Sequence, residues 1–169
     1  MTAPPTPLLS PDALVAAPPP GLVLDTNAVL ALWMFRDPAL RGLRDWIEAA
    51  NCRLFSREDA LEELRRVLAY RQFAQGEAAQ ASLLAAHCAR VTLATETRDV
   101  ADAMARPLPR CSDADDQKFL EIAWASQAKH LLTRDKALLR LRRHVAIRPY
   151  FAVETPERFQ QTVTAAAGA

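Results

Sequence analysis

Short apolar runs alternate along the chain with longer stretches in which apolar residues recur every three or four positions. The apolar runs GLVLD, CRLFS, RVTLA, HLLT and VAIRP predict strands at residues 21–25, 52–56, 90–94, 130–133 and 145–149. The stretches between them predict helices over residues 38–51, 57–73, 77–90, 113–129 and 136–141. Strands that alternate with helices favour a parallel sheet covered on both faces. The pattern therefore predicts a three-layer α/β/α sandwich with a central parallel sheet of about five strands.

The two ends of the chain depart from this alternation. Seven of the twelve Pro residues lie within residues 1–20, which predicts a flexible N-terminal extension outside the folded part. The last residues end in TVTAAAGA and predict a frayed tail over residues 161–169. A chain of 169 residues is large enough for one domain with its own core. We therefore expect a single domain over residues 21–160.

Composition and charge narrow the function classes only slightly. The net charge of +1 gives no overall field that favours or opposes a nucleic-acid partner. The three Cys residues are far apart and odd in number, so they indicate neither a metal-ligand set nor a disulfide framework and favour a reducing cytoplasm. No apolar run approaches the roughly 18 residues that a membrane-spanning helix needs, so we expect no membrane partner. The four Gly residues form no phosphate-binding loop.

Two acids stand at the carboxyl ends of predicted strands, where ligands bind in an open parallel sheet. Asp25 directly follows the apolar LVL, and Asp135 lies two residues after Thr133 at the end of HLLT. Each acid could instead cap the helix that follows it, because Asp is favoured at that position. The residues alone leave both interpretations open.

Helix 57–73 carries several acids, and helical periodicity separates them. Its apolar face is formed by Ala60, Leu61, Leu64, Val67 and Leu68. Glu62 precedes basic residues by three and four positions, as in a solvated ion-pair face. Glu63 shares a stripe with Ala60 and Val67 at the border of the buried face. A border Glu commonly reaches out to water, so Glu63 is a candidate only in combination with the other acids.

The segment CSDADDQKFL holds three Asp residues at the predicted start of helix 113–129. Ser112 and Asp115 have the spacing of a capping box. This leaves Asp113 and Asp116 one turn apart, and Asp116 shares an inward stripe with Phe119. Acids in a first turn also stabilise a helix by themselves, so a structural role stays open for both.

Taken together, these acids favour a binding site over a set of separate caps. If the strands that end at Asp25 and Thr133 are neighbours, the carboxylates converge on one edge of the sheet and repel one another unless a cation lies between them. Oxygen ligands without a His or Cys alternative select Mg²⁺ or Mn²⁺. Such ions serve phosphoryl transfer by activating water and neutralising charge on the phosphate.

Four motifs that follow one another along the chain resemble motifs of the PIN-domain family, and the resemblance spans roughly residues 21–150. LVLDTNAVL resembles the family's opening strand, with Asp25 as its first acid and Asn27 close by. SREDALEELRRVLAYRQF resembles the helix in which the Glu directly before Leu, here Glu63, is the second acid.

The other two motifs lie in the second half of the chain. CSDADDQKFLEIAWA resembles the D-x-x-D-x-x-F-L segment of the branch of toxin components, the VapC-like ribonucleases, with Asp116 as third acid and Asp113 as an accessory. LLTRDKALL resembles the final T-x-D element, which here is Thr133 and Asp135.

The resemblance implies a PIN-like, Rossmann-like sandwich and a Mg²⁺- or Mn²⁺-dependent endoribonuclease. It implies that four acids bind the metal and carry the catalysis: Asp25, Glu63, Asp116 and Asp135. Three neighbours would steady these ligands: Asn27, Thr133 and Asp113. Glu63 would bind a second ion, or would orient water through the first. Water activated in this way would attack phosphorus and release a 3′-hydroxyl end.

An RNA substrate requires a basic surface, since phosphate contacts dominate affinity. Candidates lie beside the last acid and on the helix of Glu63: Arg134, Lys136, Arg140 and Arg65. Each of them could equally lie on a solvated helix face. Many members of the family are toxins of toxin–antitoxin pairs, often homodimeric and silenced by a partner. The resemblance therefore also implies an antitoxin protein, a homodimer and a cytoplasmic location.

Two other functions compete with the nuclease. A catalytically inactive PIN fold could serve as an RNA- or protein-binding module, although a degenerate site would be expected to have lost one of its acids. A phosphoaspartate phosphatase or receiver also places an Asp after its first strand. The phosphatase requires a second Asp two residues later, where this chain has Asn27, and the receiver's acidic pair and later Lys are not evident.

Overall fold

In the computed structural model of this protein, residues 18–74, 76–94 and 108–167 are described. Residues 1–17, the greater part of the predicted N-terminal extension, lie outside these ranges. Within the described ranges, no helix has both the length and the apolar character required to cross a membrane.

The strands of the described chain form one parallel sheet. They are β1 (Gly21–Leu24), β2 (Arg53–Ser56), β3 (Val91–Leu93), β4 (His130–Leu132) and β5 (Ala152–Glu154). Their order across the five-stranded sheet is β3–β2–β1–β4–β5. The chain places β2 and β3 on one side of β1 and returns to place β4 and β5 on the other, so the strand order reverses between β1 and β4. Parallel α/β sheets bind ligands at the carboxyl ends of the strands beside such a reversal.

Helices cover both faces of the sheet. They are α1 (Thr26–Val29), which continues as a π-helical turn (Leu30–Met34), α2 (Arg41–Glu48), α3 (Glu58–Leu68), α4 (Glu77–Arg90), α5 (Gln117–Ala125), α6 (Lys136–Arg140) and α7 (Pro156–Ala167). Successive strand residues point to opposite faces. In β1, Leu22 and Leu24 join the core under α1, α2, α3 and α7, whereas Val23 joins the core under α5 and α6. The predicted three-layer α/β/α sandwich is confirmed.

The register of the central strands fixes the position of the site. In the β1–β4 pair, Leu24 lies opposite Leu132. The ladder continues by one more bond, in which the Asp25 amide donates to the Leu132 carbonyl at 3.2 Å. The residues that follow these two strands therefore lie side by side at the carboxyl edge of the sheet.

The prediction of a strand at residues 145–149 is wrong, and β5 begins later, at Ala152. Ala146 and Ile147 are buried, which gave the segment its strand-like pattern. The amides of Tyr150 and Phe151 bond back to the Ile147 carbonyl at 2.8 and 3.2 Å, so the segment forms turns. Pro149 also lacks the amide that a strand in a ladder requires.

Several helix boundaries differ from those predicted; the helix expected over residues 57–73, for example, ends at Leu68. The helix expected over residues 113–129 is limited to α5, because residues 113–116 form turns. Residues 161–167, expected to belong to a frayed tail, continue α7. Gln160 ties α7 to the rest of the fold, since its side chain accepts from the Leu43 amide at 2.7 Å and donates to the Ala39 carbonyl at 2.8 Å. Val163 packs against the core one turn later.

Candidate metal centre

Asp25 is the most deeply buried of the four predicted acids, at 3% exposure. It leaves β1 in an extended conformation and caps α1, where its Oδ1 accepts from the Ala28 amide at 2.6 Å. Its Oδ2 accepts from the Thr133 hydroxyl at 2.5 Å. The capping and functional interpretations are therefore compatible, because the cap is what holds this carboxylate at the edge of the sheet.

Thr133 joins the ends of β1 and β4. Its side chain is fully buried, and its hydroxyl donates to Asp25 while accepting from the Asp135 amide at 2.8 Å. Asp135 in turn caps α6, with its Oδ1 accepting from the amides of Ala137 at 2.6 Å and Leu138 at 3.4 Å. One hydroxyl thus orients two of the predicted acids, as expected of a residue that steadies ligands from behind.

Glu63 reaches the same edge from the middle of α3, and both of its carboxylate oxygens are engaged. Oε1 accepts from the Thr26 hydroxyl at 2.6 Å. Oε2 forms an ion pair with the ammonium group of Lys118. The sequence reasoning included neither partner, although both adjoin predicted features: Thr26 follows Asp25, and Lys118 lies two residues after Asp116.

Asp116 lies at the start of α5 and acts as no cap, since its side chain accepts no capping hydrogen bond. The predicted capping box of Ser112 and Asp115 is wrong. Asp113 instead closes the turn before the helix, where its Oδ1 accepts from the Asp115 amide at 3.0 Å. Asp113 is exposed, and its charge is one of those that raise the pKa of Asp116.

The charges of neighbouring acids act on the pKa values of Asp25 and Asp116. The pKa of Asp25 is raised to about 6, mainly by burial; the bonds from Thr133 and Ala28 oppose the rise, and the charges of Asp135 and Glu63 add to it. The pKa of Asp116 is raised to about 7 by burial first, and then by the charges of Asp135, Asp113, Asp25 and Glu63. No hydrogen bond from a described residue offsets the rise at Asp116. A bound cation would lower the pKa of both carboxyls, because a nearby positive charge favours the ionised form.

The donor set fits a hard divalent cation, but the side chains are not already closed around one point. Among the described residues, no three Asp, Glu, His or Cys side chains form a group that could hold a metal ion as they stand. The protein's own donors hold Asp25 and Glu63 on both oxygens. A cation at this edge would therefore depend most on Asp135 and on Asp116, whose side chain has no hydrogen-bonding partner among the described residues.

Asn27 occupies a different position from the one predicted for it. It lies in the first turn of α1 but is exposed. In the described part of the chain, its side chain makes no hydrogen bond to the four acids, whereas the preceding Thr26 bonds Glu63. The hydroxyl of Thr26 thus has the orienting contact that the sequence comparison suggested for Asn27.

The four predicted RNA-binding residues divide into two groups. Arg134 bridges Asp37, at 2.8 Å, and Glu157, to which its Nε donates at 2.7 Å. Arg65 pairs with a carboxylate one turn away on its own helix at 2.6 Å. Lys136 and Arg140 are exposed on α6, and no ion pair joins either of them to another described residue. Only this second group has its charge available to a phosphate.

Replacing Asp116 with Asn should stabilise the metal-free protein increasingly as pH rises from about 5 to about 8. The pKa of Asp116 is raised in the folded state, so its contribution to stability is complete below its ordinary value of 3.8 and is lost as pH rises through about 7. Asn does not titrate. We expect a gain of about 2 kcal/mol at the upper pH, roughly half of what the pKa alone implies, because the carboxylate is partly exposed to solvent.

Urea unfolding of both proteins in EDTA across this pH range measures the difference. His87 titrates in the opposite sense, since burial lowers its pKa to about 4, but it is present in both proteins and cancels. A stability difference that stays constant across the range would contradict the assignment of Asp116 to an uncompensated acidic site.

The fold and the site together define a known class of protein. The PIN domain profile matches residues 21–137, which include all four acids and most of the chain. The chain therefore belongs to the PIN domain family. Members of this family are generally nucleases, so the match indicates a nuclease-type hydrolase.

The comparison with solved structures agrees with this fold. The crystal structure of PAE2754 from Pyrobaculum aerophilum matches with a TM-score of 0.54 at 16% identity, covering 94% of this chain and 99% of that one. At this identity the likeness shows a shared fold alone. A search of curated protein sequences found no significant match.

Proposed function

We propose that this protein is a metal-dependent endoribonuclease. The observation that carries the proposal is the group of acids at the carboxyl edge of β1 and β4, in which burial and the charges of the neighbouring carboxylates raise the pKa values of Asp25 and Asp116. A structural cluster of caps would gain nothing from this repulsion. A site for a divalent cation gathers like charges in this way, because the bound cation balances the carboxylates that otherwise repel one another.

The donor set supports Mg²⁺ or Mn²⁺, since all of the candidate ligands are carboxylate oxygens. When bound, the ion would supply an activated water and neutralise charge on the phosphate. Asp25, Asp116 and Asp135 would hold it. The Thr133 hydroxyl would keep the first and last of these carboxylates in place. Hydrolysis would add the water oxygen to phosphorus and break the bond to the 3′ oxygen, leaving a 3′-hydroxyl and a 5′-phosphate.

A basic surface beside the site supports RNA as the substrate. Lys136 and Arg140 lie on the helix capped by Asp135, and a shallow pocket joins them to Arg142 and Arg143 in the next turn. All four side chains are exposed, and no described carboxylate pairs with them. Cations arranged in this way attract a phosphate backbone without depending on sequence.

The experiment is a cleavage assay on a structured RNA and a single-stranded RNA with purified protein. We expect 3′-hydroxyl products in Mg²⁺ or Mn²⁺ and none in EDTA, with activity returning when the metal is restored. The alternative, a catalytically inactive binding module, has one observation in its favour, the pairing of Glu63 with Lys118 in place of a metal. RNA binding that survives in EDTA, with no cleavage in any metal, would establish that alternative.

The most specific part of the proposal is a role as a toxin. It rests on the resemblance of residues 111–125 to the toxin components of toxin–antitoxin pairs. In that role the protein would form a homodimer and be silenced by an antitoxin protein. Growth arrest on expression, relieved by a small protein encoded next to this chain, would support the role. Cleavage of RNA without growth arrest would leave a nuclease with another task.

A further inference from the structure

Lys118 has an environment that is unusual for a lysine. It lies in the first turn of α5 with only 13% of its side chain exposed. Its ammonium group contacts the Glu63 carboxylate and the carbonyl oxygen of Asp115, and it lies 5.2 Å from the centroid of the Phe119 ring. Lysine side chains are mostly exposed, and they are almost never fully buried unless they are paired. The ammonium is therefore a fixed part of the acidic edge and not a solvated surface charge.

The pairing balances the negative charge of Glu63 with a cation of the protein itself. Thr26 donates to one oxygen and Lys118 to the other. A divalent ion bound by Glu63 would have to displace the ammonium, or would stand within a few ångströms of it and be repelled.

The remaining acids have no such cation. Within the described ranges, Asp25 accepts from the neutral donors Thr133 and Ala28, and Asp135 accepts from backbone amides. Among the described residues, no donor bonds the side chain of Asp116, which makes no capping bond at the start of α5. The uncompensated negative charge therefore lies on the side of the site away from the Glu63–Lys118 pair.

We propose that the ammonium of Lys118 takes the place of a second metal ion, so that the site binds a single divalent cation through Asp25, Asp116 and Asp135. Glu63 then acts as a positioning residue that anchors Lys118, and Lys118 supplies a permanent positive charge for the scissile phosphate. The inference rests on the metal binding in the proposed function and decides between the two roles that the family resemblance allows Glu63.

The test is a Mn²⁺ titration of the full chain at about pH 7.5, after treatment with EDTA and its removal. Electron paramagnetic resonance of free Mn²⁺ and calorimetry both give the number of ions bound. We expect about one ion for the wild type and about two for Lys118→Met, in which the Glu63 carboxylate is released. Lys118→Arg keeps the charge and should bind about one. Lys129→Met, which removes an exposed lysine elsewhere in the fold, should also bind about one.

A second variant keeps the test decisive if Lys118→Met does not fold. Glu63→Gln retains the shape of the side chain and should still bind about one Mn²⁺, because Glu63 is not a ligand. Loss of Mn²⁺ binding in this variant would overturn the inference, as would two ions in the wild type or one in folded Lys118→Met. Wild-type protein that binds one Mn²⁺ but cuts no RNA would remove the proposed nuclease and leave this inference standing.

Discussion

Asp25→Asn should abolish metal-dependent RNA cleavage, lowering kcat/KM by about 1,000-fold or more. The substitution keeps the size of the side chain and an oxygen that can accept from the Ala28 amide, so α1 retains its cap. It removes the charge that lies deepest in the site, and with it one of the proposed metal ligands. The measurement is steady-state cleavage of a labelled RNA in Mg²⁺, with unfolding followed in parallel.

Stability separates loss of function from loss of fold in this variant. The pKa of Asp25 is raised to about 6 mainly because the carboxylate is buried, so its ionisation costs about 3 kcal/mol of stability above neutral pH. Metal-free Asp25→Asn should therefore unfold at a temperature at least as high as the wild type at about pH 8. Asp45→Asn, which changes an exposed carboxylate paired with Arg41 on α2, is the matched control and should cleave RNA normally. Full activity in Asp25→Asn would remove Asp25 from the metal site.

The acids that follow strands were predictable because a parallel sheet gathers its carboxyl ends at one edge. Asp25, Thr133 and Asp135 needed only the alternation of strands and helices and the assumption that two strands are neighbours. The observed β1–β4 pairing supplies that neighbour relation, which sequence periodicity does not contain. Strand order depends on how helices pack on the faces, and a single sequence gives no measure of that packing.

What sequence reasoning missed lies in contacts between distant segments. The ion pair of Lys118 with Glu63 joins positions on two helices, and no spacing within either helix points to it. The Thr26–Glu63 bond is similar, since 37 positions separate the two residues. The wrong strand at residues 145–149 has the same origin. A buried Ile147 gives the same apolar pattern in the sequence whether the segment is a strand or a turn. The backbone hydrogen bonds to its carbonyl distinguish the two.

Thr133→Val should cost about 2 to 4 kcal/mol of unfolding free energy and reduce cleavage by about 10- to 100-fold. Valine matches threonine in shape, but the Asp25 carboxylate loses a donor and the Asp135 amide loses its acceptor, both where the side chain is fully buried. Because the Thr133 bond lowers the pKa of Asp25, its loss should also move the acidic limb of the pH–activity profile to higher pH. Urea unfolding and the pH dependence of kcat/KM measure the two effects.

Thr133→Ser is the matched control, since it keeps the hydroxyl and removes only a methyl group. It should cost about 1 kcal/mol of stability and leave the pH–activity profile in place. If Thr133→Ser loses as much activity as Thr133→Val, then packing of the methyl group and not the hydroxyl determines the geometry of the site. If Thr133→Val is less stable but keeps the wild-type pH profile, Thr133 holds the two strands together without tuning the Asp25 carboxylate. The role of the hydroxyl is established only if the pH–activity profile is shifted in Thr133→Val and restored in Thr133→Ser. In that case, one hydroxyl sets the ionisation of Asp25, on which the proposed metal site depends.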